Sequence, residues 1–202
     1  MFFRTLREHY LPLLSAKEEY AKLDWEDGYS HRKRFEVLVS RVDPGGKSLL
    51  DVGCGVGSLY RFLRQQGISC EYTGIDVLPE MIALAKQYSP ESRFLCGDPF
   101  ERDFFSPEDF DVVYASGIFN LDTGKGKSFL YEAVEKMSQW AKSTIVFNAL
   151  HCRSHCREEP YLYYDPEEVL SFLQERYPYR IILVDDYLIN DFTIVMEKNP
   201  RF

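Results

Sequence analysis

The chain has 202 residues, of which 45% are apolar, 28% charged and 15% aromatic. That length and balance suit one globular domain with a small appendage. They exclude a disordered chain, and also two nucleotide-binding halves joined to a separate substrate domain. With 24 Lys and Arg against 32 Asp and Glu the net charge is −8, which argues against a nucleic-acid partner because phosphate backbones are gripped by clustered cations.

The first 42 residues read as two helices. One is expected over residues 3–22, with Pro12 as a kink, and the other over 30–42, with Phe35, Leu38, Val39 and Val42 on one face. Strand and helix then alternate after Asp43-Pro44-Gly45-Gly46. Strands are expected at 48–52, 71–76, 93–96, 110–115 and 143–149. Helices are expected at 58–66 (closed by Gly67), 79–87, 126–142 and 166–176. Two further strands, 181–185 and 192–197, have too little chain between them for a parallel crossover and must pair antiparallel. The expected fold is α/β: a doubly wound, mostly parallel seven-stranded sheet with an antiparallel last strand, helices on both faces and an N-terminal helical lid. Residues 1–42 are taken as the lid and 43–202 as the Rossmann-like domain.

The most informative segment is Leu49-Leu50-Asp51-Val52-Gly53-Cys54-Gly55-Val56-Gly57-Ser58, a strand, a glycine bend and a helix start. Glycine permits positive φ and lets backbone approach a ligand. An acid, Asp76, ends the second strand 23 residues after Gly53. A carboxylate there can accept both hydroxyl hydrogens of an adenosine ribose. A dinucleotide fingerprint spaces its glycines G-x-G-x-x-G, whereas here the third glycine comes one residue early. Asp51, two residues before Gly53, would repel a phosphate and attract an ammonium group. An adenosine cofactor without a pyrophosphate is the physical inference.

At these residues the sequence resembles the class I, Rossmann-fold S-adenosylmethionine-dependent methyltransferases. The resemblance runs from about Lys47 to Glu197. It implies that S-adenosyl-L-methionine is the cofactor, its methionine part held by the backbone of Gly53, Cys54, Gly55 and Gly57. It implies that Asp76 binds the ribose and that Asp98, in Cys96-Gly97-Asp98-Pro99-Phe100, meets the adenine amino group. Ser116, in the loop after the fourth strand, would lie beside the reacting centre. Val77 and Leu78 are placed to sandwich the adenine, with ordinary helix-entry packing as the alternative. Asp98 could instead shape a turn before Pro99.

Methyl transfer from a sulfonium needs alignment and desolvation more than a base, so sequence says little about the acceptor. The loop Ala115-Ser116-Gly117-Ile118 is not the Asn/Asp-Pro-Pro-aromatic run of nucleobase amino methylation. A small-molecule acceptor, methylated on oxygen or nitrogen, is expected. A protein methyltransferase, a non-catalytic S-adenosylmethionine-binding protein and a nicotinamide enzyme stay open. Arg34, beside Phe35 in the entry helix, is expected to pair with a carboxylate of cofactor or substrate. Asn120 and Asp122 are candidates for orienting the acceptor, and His151 for its base. Tyr161, Tyr163 and Tyr164 are pocket candidates. His151-Cys152-Arg153-Ser154-His155-Cys156 suggests zinc, but a distant second half-site is missing, so no metal is expected. Five cysteines read as reduced thiols. With no apolar run long enough for a bilayer and charges near the start, the expected location is the cytoplasm, with no membrane partner. The oligomeric state is not legible.

Overall fold

The computed structural model describes residues 2–198, the Phe2 side chain excepted. Strands β1 (Ser48–Val52), β2 (Glu71–Asp76), β3 (Arg93–Cys96), β4 (Phe110–Ala115), β5 (Ala141–Leu150), β6 (Arg180–Val184) and β7 (Asp191–Glu197) form one sheet in the order β3-β2-β1-β4-β5-β7-β6. Pairing is parallel from β3 through to β5. β7 is antiparallel to both of its neighbours, β5 and β6. The backward strand is therefore inserted next to the sheet's edge. Chain order reverses between β1 and β4, and in sheets of this kind ligands bind at such a switch point, outside the carboxyl ends of the strands.

The period of two along the strands sorts side chains into two layers. On one face Leu49, Val112, Tyr114 and Val146 meet α3 (Gly28–Arg41), α4 (Ser58–Gln65) and α5 (Pro79–Tyr88) through Leu38, Leu63 and Ala85. On the other, Leu50, Val113 and Phe147 meet α6 (Ser128–Trp140) and α7 (Pro166–Arg176) through Leu130, Val134 and Leu173. Each fully buried leucine contributes about 1.5–3 kcal/mol, so this alternation fixes the register of the whole sheet.

Several element limits shift by one or two residues, and three differences from expectation go further. The single helix over 3–22 is two, α1 (Phe2–Leu13) and α2 (Glu19–Lys22). Pro12 lacks an N–H and crowds the preceding turn, so the helix stops one residue later and the kink becomes a break. Lys22 Nζ ties the gap by donating to the carbonyls of Leu14 (3.1 Å) and Ala16. The long helix over 126–142 ends at Trp140. Ala141 closes it by donating its N–H to Met137 O and already pairs with Phe110 as the first residue of β5. No Gly or Pro marks that boundary in the sequence. Finally, α3 is expected in the lid, but its Phe35 and Leu38 lie in the core shared with α4 and β1. Only α1 and the turn after α2 pack as a separate cluster: Leu6, Tyr10 and Leu23 rest on Val56, Leu78 and Met81.

No helix of the described residues is long and apolar enough to cross a membrane. All five cysteines are free.

Candidate active site

A cavity of about 850 Å³ opens at the carboxyl ends of β1, β2 and β4. Its floor is the glycine bend. Gly53 and Gly55 have φ of +74° and +52°, a region costly for any residue with a side chain. A Cβ on Gly53 would lie 2.2 Å from Ile118 Cγ2, and one on Gly55 2.5 Å from Leu23 Cδ2. The amides of Gly53 and Cys54 both donate to Ile75 O, at 2.8 and 3.0 Å, which locks the bend to β2.

Asp76 completes this floor. Its two oxygens accept from Gly55 N and Leu78 N, both at 2.9 Å. A carboxylate offers about four acceptor positions, so capacity remains for a ligand. Burial pushes its pKa up to about 6, against the pull of those backbone bonds. Asp51 is buried too and accepts from Tyr72 Oη at 2.6 Å. Burial raises it to about 7; the Tyr72 bond opposes the rise and the nearby Asp76 adds to it. Both acids therefore hold their protons to a higher pH than a solvated carboxyl does.

The opposite wall comes from the N-terminal segment and the loops after β4, β5 and β6. Asp24, held at φ +61°, accepts from His9 Nε2 (2.8 Å) and from Tyr161 Oη. Burial opposes its charge, but those two bonds keep its pKa below the usual carboxylate range. Arg34 makes a bidentate pair with Asp191, through Nε (3.2 Å) and Nη2. The Trp25 ring covers the guanidinium at 3.8 Å. Asp191 has no exposed surface; burial raises its pKa and Arg34 opposes the rise. Next to them His31 is held neutral, its pKa lowered to about 4 chiefly by burial.

Most of the expected site residues line this cavity: Asp51, Gly53, Cys54, Gly55, Asp76, Val77, Leu78, Asp98, Pro99, Ser116, Arg34 and Asn120. Asp98 also shapes the turn, its Oδ1 accepting from Phe100 N at 2.9 Å. Of the tyrosines, Tyr161 and Tyr163 face the cavity, whereas Tyr164 is buried and donates to Phe119 O (3.2 Å). Three of the expected residues, Gly57, Asp122 and His151, do not lie on the cavity wall. Gly57 serves close packing, since a Cβ there would meet Phe94 Cζ at 2.8 Å. Asp122 Oδ1 accepts from Gly124 N (2.8 Å) and Gly126 N (3.3 Å) and so shapes its own loop. Leu150 faces the cavity, so the strand alternation turns the next residue, His151, away. Its Nδ1 accepts from Arg153 N at 3.1 Å, and burial lowers its pKa. No group of His, Cys, Asp or Glu among the described residues is arranged to hold a metal ion.

Sequence reasoning missed Tyr10, Asp24, Trp25 and Asp191 on the wall. A tryptophan between Asp24 and Glu26, where no core needs it, was the available signal for one of them.

A family model described as a methyltransferase domain matches residues 49–143. The candidate methyltransferase Rv1506c of Mycobacterium tuberculosis is 32% identical over 172 residues, which cover 80% of this chain and 98% of that protein. The malonyl-acyl-carrier-protein O-methyltransferase of Acetivibrio thermocellus is 28% identical over 158 residues, covering 73% of this chain and 53% of that one, so the chain spans about half the length of this relative. Among solved structures, the magnesium protoporphyrin IX methyltransferase of Synechocystis PCC 6803 with bound SAH shares the fold, with a TM-score of 0.71 at 13% identity over 98% of this chain and 100% of that one. The solved structure speaks for the fold alone. The mycobacterial relative, matched along nearly its whole length, takes the assignment further: the chain belongs to the class I, Rossmann-fold S-adenosylmethionine-dependent methyltransferases.

Proposed function

We propose that this enzyme methylates an oxygen or nitrogen of a small molecule enclosed in the cavity, using S-adenosylmethionine as donor. The observation that carries this reading is the cavity itself: one chamber joins the glycine bend and Asp76 to a second, aromatic-lined wall. The residues present fit the cofactor. The bend has no room for side chains at Gly53 and Gly55. Asp76 keeps free acceptor capacity. Arg34 Nη1 is buried without a hydrogen-bond partner among the described residues, and Arg34 lines the cavity.

When bound, the cofactor supplies a methyl group already activated on a sulfonium centre. Everything else falls to the chain. Asp76 holds the ribose hydroxyls, Val77 and Leu78 pack on the adenine and Asp98 accepts from its amino group. Asp51 takes the ammonium, and the third nitrogen of Arg34 takes the carboxylate. Ser116 and Asn120, after β4, orient the acceptor. Tyr161, bonded to Asp24, ties the loop after β5 to the N-terminal segment and keeps water out. That tie favours an enclosed small acceptor over a peptide, which needs an open groove. The Acetivibrio relative is named for O-methylation, which supports oxygen as one target atom. The five free thiols suit work in the cytoplasm.

Isothermal titration with S-adenosylhomocysteine and with NADH tests the cofactor, and release of S-adenosylhomocysteine across an acceptor panel tests turnover. Binding of S-adenosylhomocysteine alone, with release on a small acceptor, is expected. Binding of the dinucleotide alone would overturn the reading.

A further inference from the structure

The cavity carries more negative charge than cofactor binding uses. Eight carboxylate side chains line it, whereas Arg34 is the one Lys or Arg on its wall among the described residues. Asp51, Asp76 and Asp98 have roles toward the cofactor, Asp191 neutralises Arg34, and Asp24 is held by His9 and Tyr161. Glu26, Asp27 and Glu158 remain on the wall, all three exposed. Asp27 Oδ1 accepts from Ser30 N at 2.6 Å, a bond that favours its charged form. The cations nearest in the chain do not line the cavity: Arg32 pairs with Glu36 at 3.0 Å, Arg153 with Asp185 at 3.2 Å, and Arg157 lies 6.0 Å from the Tyr163 ring centre. A cleft lined by one sign of charge concentrates ligands of the opposite sign.

A second, independent feature lies deeper. Asn120 is 8% exposed and lines the cavity, and its Oδ1 is buried with no partner among the described residues. A buried carbonyl oxygen left unpaired is costly, and it calls for a ligand N–H or O–H. Tyr29, Tyr161 and Tyr163 line the same cavity as Glu26, Asp27 and Glu158. Their ring faces attract cations and add little to the binding of anions.

We propose that the methyl acceptor carries a protonated amine, drawn to Glu26, Asp27 and Glu158 and the neighbouring tyrosine faces, and donates an N–H or O–H to Asn120 Oδ1. This rests on the cavity being a methyltransferase site and names the chemistry of what it accepts. An acceptor whose recognised group is a carboxylate is disfavoured, which sets this chain apart from its malonyl-modifying relative.

Matched pairs of probes test it: tyramine against 4-hydroxyphenylacetate, and histamine against imidazole-4-acetate. Each pair shares a ring and differs in the sign of its charge. They are titrated into protein saturated with S-adenosylhomocysteine. The ammonium member of at least one pair is expected to bind about tenfold more tightly than its partner, with the preference shrinking as salt is added. The double variant Glu26→Gln, Glu158→Gln should cut that preference about fivefold, since exposed ion pairs contribute up to about 1 kcal/mol each, while affinity for S-adenosylhomocysteine stays the same. Asn120→Ala should weaken the amine and leave the charge preference in place. Equal or tighter binding of the carboxylates overturns the proposal. So does failure of both amines to bind, or a preference indifferent to the double substitution. Loss of S-adenosylhomocysteine binding in the unaltered protein would instead strike the cofactor assignment.

Discussion

The two ends of the cavity are built differently. At the cofactor end, Asp51, Gly53, Cys54 and Gly55 lie within five residues of one another, and the bend is pinned to β2, the next strand. On the opposite wall, which reaches from the cofactor's carboxylate to the acceptor, contacts bridge long stretches of chain: Arg34 meets Asp191 across 157 residues, and Tyr161 meets Asp24 across 137. The first end is fixed by local backbone geometry, so almost any lesion there should be felt in cofactor affinity. The second is assembled by tertiary packing, and its lesions should divide between stability and ligand recognition.

The largest effect is expected at the assembled end. Arg34→Met leaves Asp191 charged and unpaired where it has no exposed surface. That should cost about 3–5 kcal/mol of unfolding free energy in urea. Part should return on lowering the pH, because protonation removes the buried charge. Next comes Gly53→Ala. A side chain at φ +74° and a Cβ 2.2 Å from Ile118 combine a backbone cost of about 1–2 kcal/mol with an overpacking cost of about 1–3 kcal/mol. Affinity for S-adenosylhomocysteine in a calorimeter should fall about a hundredfold. Asp76→Asn removes a charged acceptor from the ribose position and should weaken the same ligand by about 1.5–3 kcal/mol.

A smaller effect lies in pH. The carboxyls of Asp51 and Asp76 sit at about 7 and about 6 in the ligand-free fold, both raised by burial. A carboxyl raised above its unfolded value favours the fold while protonated. That contribution is fully present below about pH 4 and is lost as pH rises through about 6 to 7. Ammonium and ribose need the ionised forms, so affinity should rise over the same interval, by at most about tenfold per pH unit for each group. Thermal melts without ligand should therefore fall as pH rises toward 7, whereas with saturating S-adenosylhomocysteine the two trends cancel and the slope flattens. The smallest effect is expected at His151. It faces away from the cavity, so His151→Gln should leave the rate of methyl transfer unchanged. A lost rate with intact folding would return it to the site.

The same contrast decides what sequence could reveal. β1, β2, β3, β4 and α7 fall at their expected limits because most of their ends carry local signals: Gly53 after β1, Pro79 soon after β2, and Asp165 capping α7 through Glu167 N at 3.0 Å. Asp76 was legible because an acid ending the strand after a glycine bend has few other uses. The break after Pro12 was half legible: proline announces disruption, but whether the helix bends or stops depends on how residues 14–18 pack. Direction at a strand end was not legible. Naming His151 required knowing that Leu150 points inward, and only the sheet decides that. Asp191 at the start of β7 gave no sign of its partner, since an ion pair across 157 residues leaves no spacing in the chain to read.

A crystal structure with S-adenosylhomocysteine bound would test the cofactor assignment at its root. The account requires both ribose hydroxyls within hydrogen-bond reach of Asp76, with the amino-acid tail against the backbone of Gly53 to Gly55. It would be contradicted by a tail niche packed with protein side chains while the nucleoside lay elsewhere on the molecule.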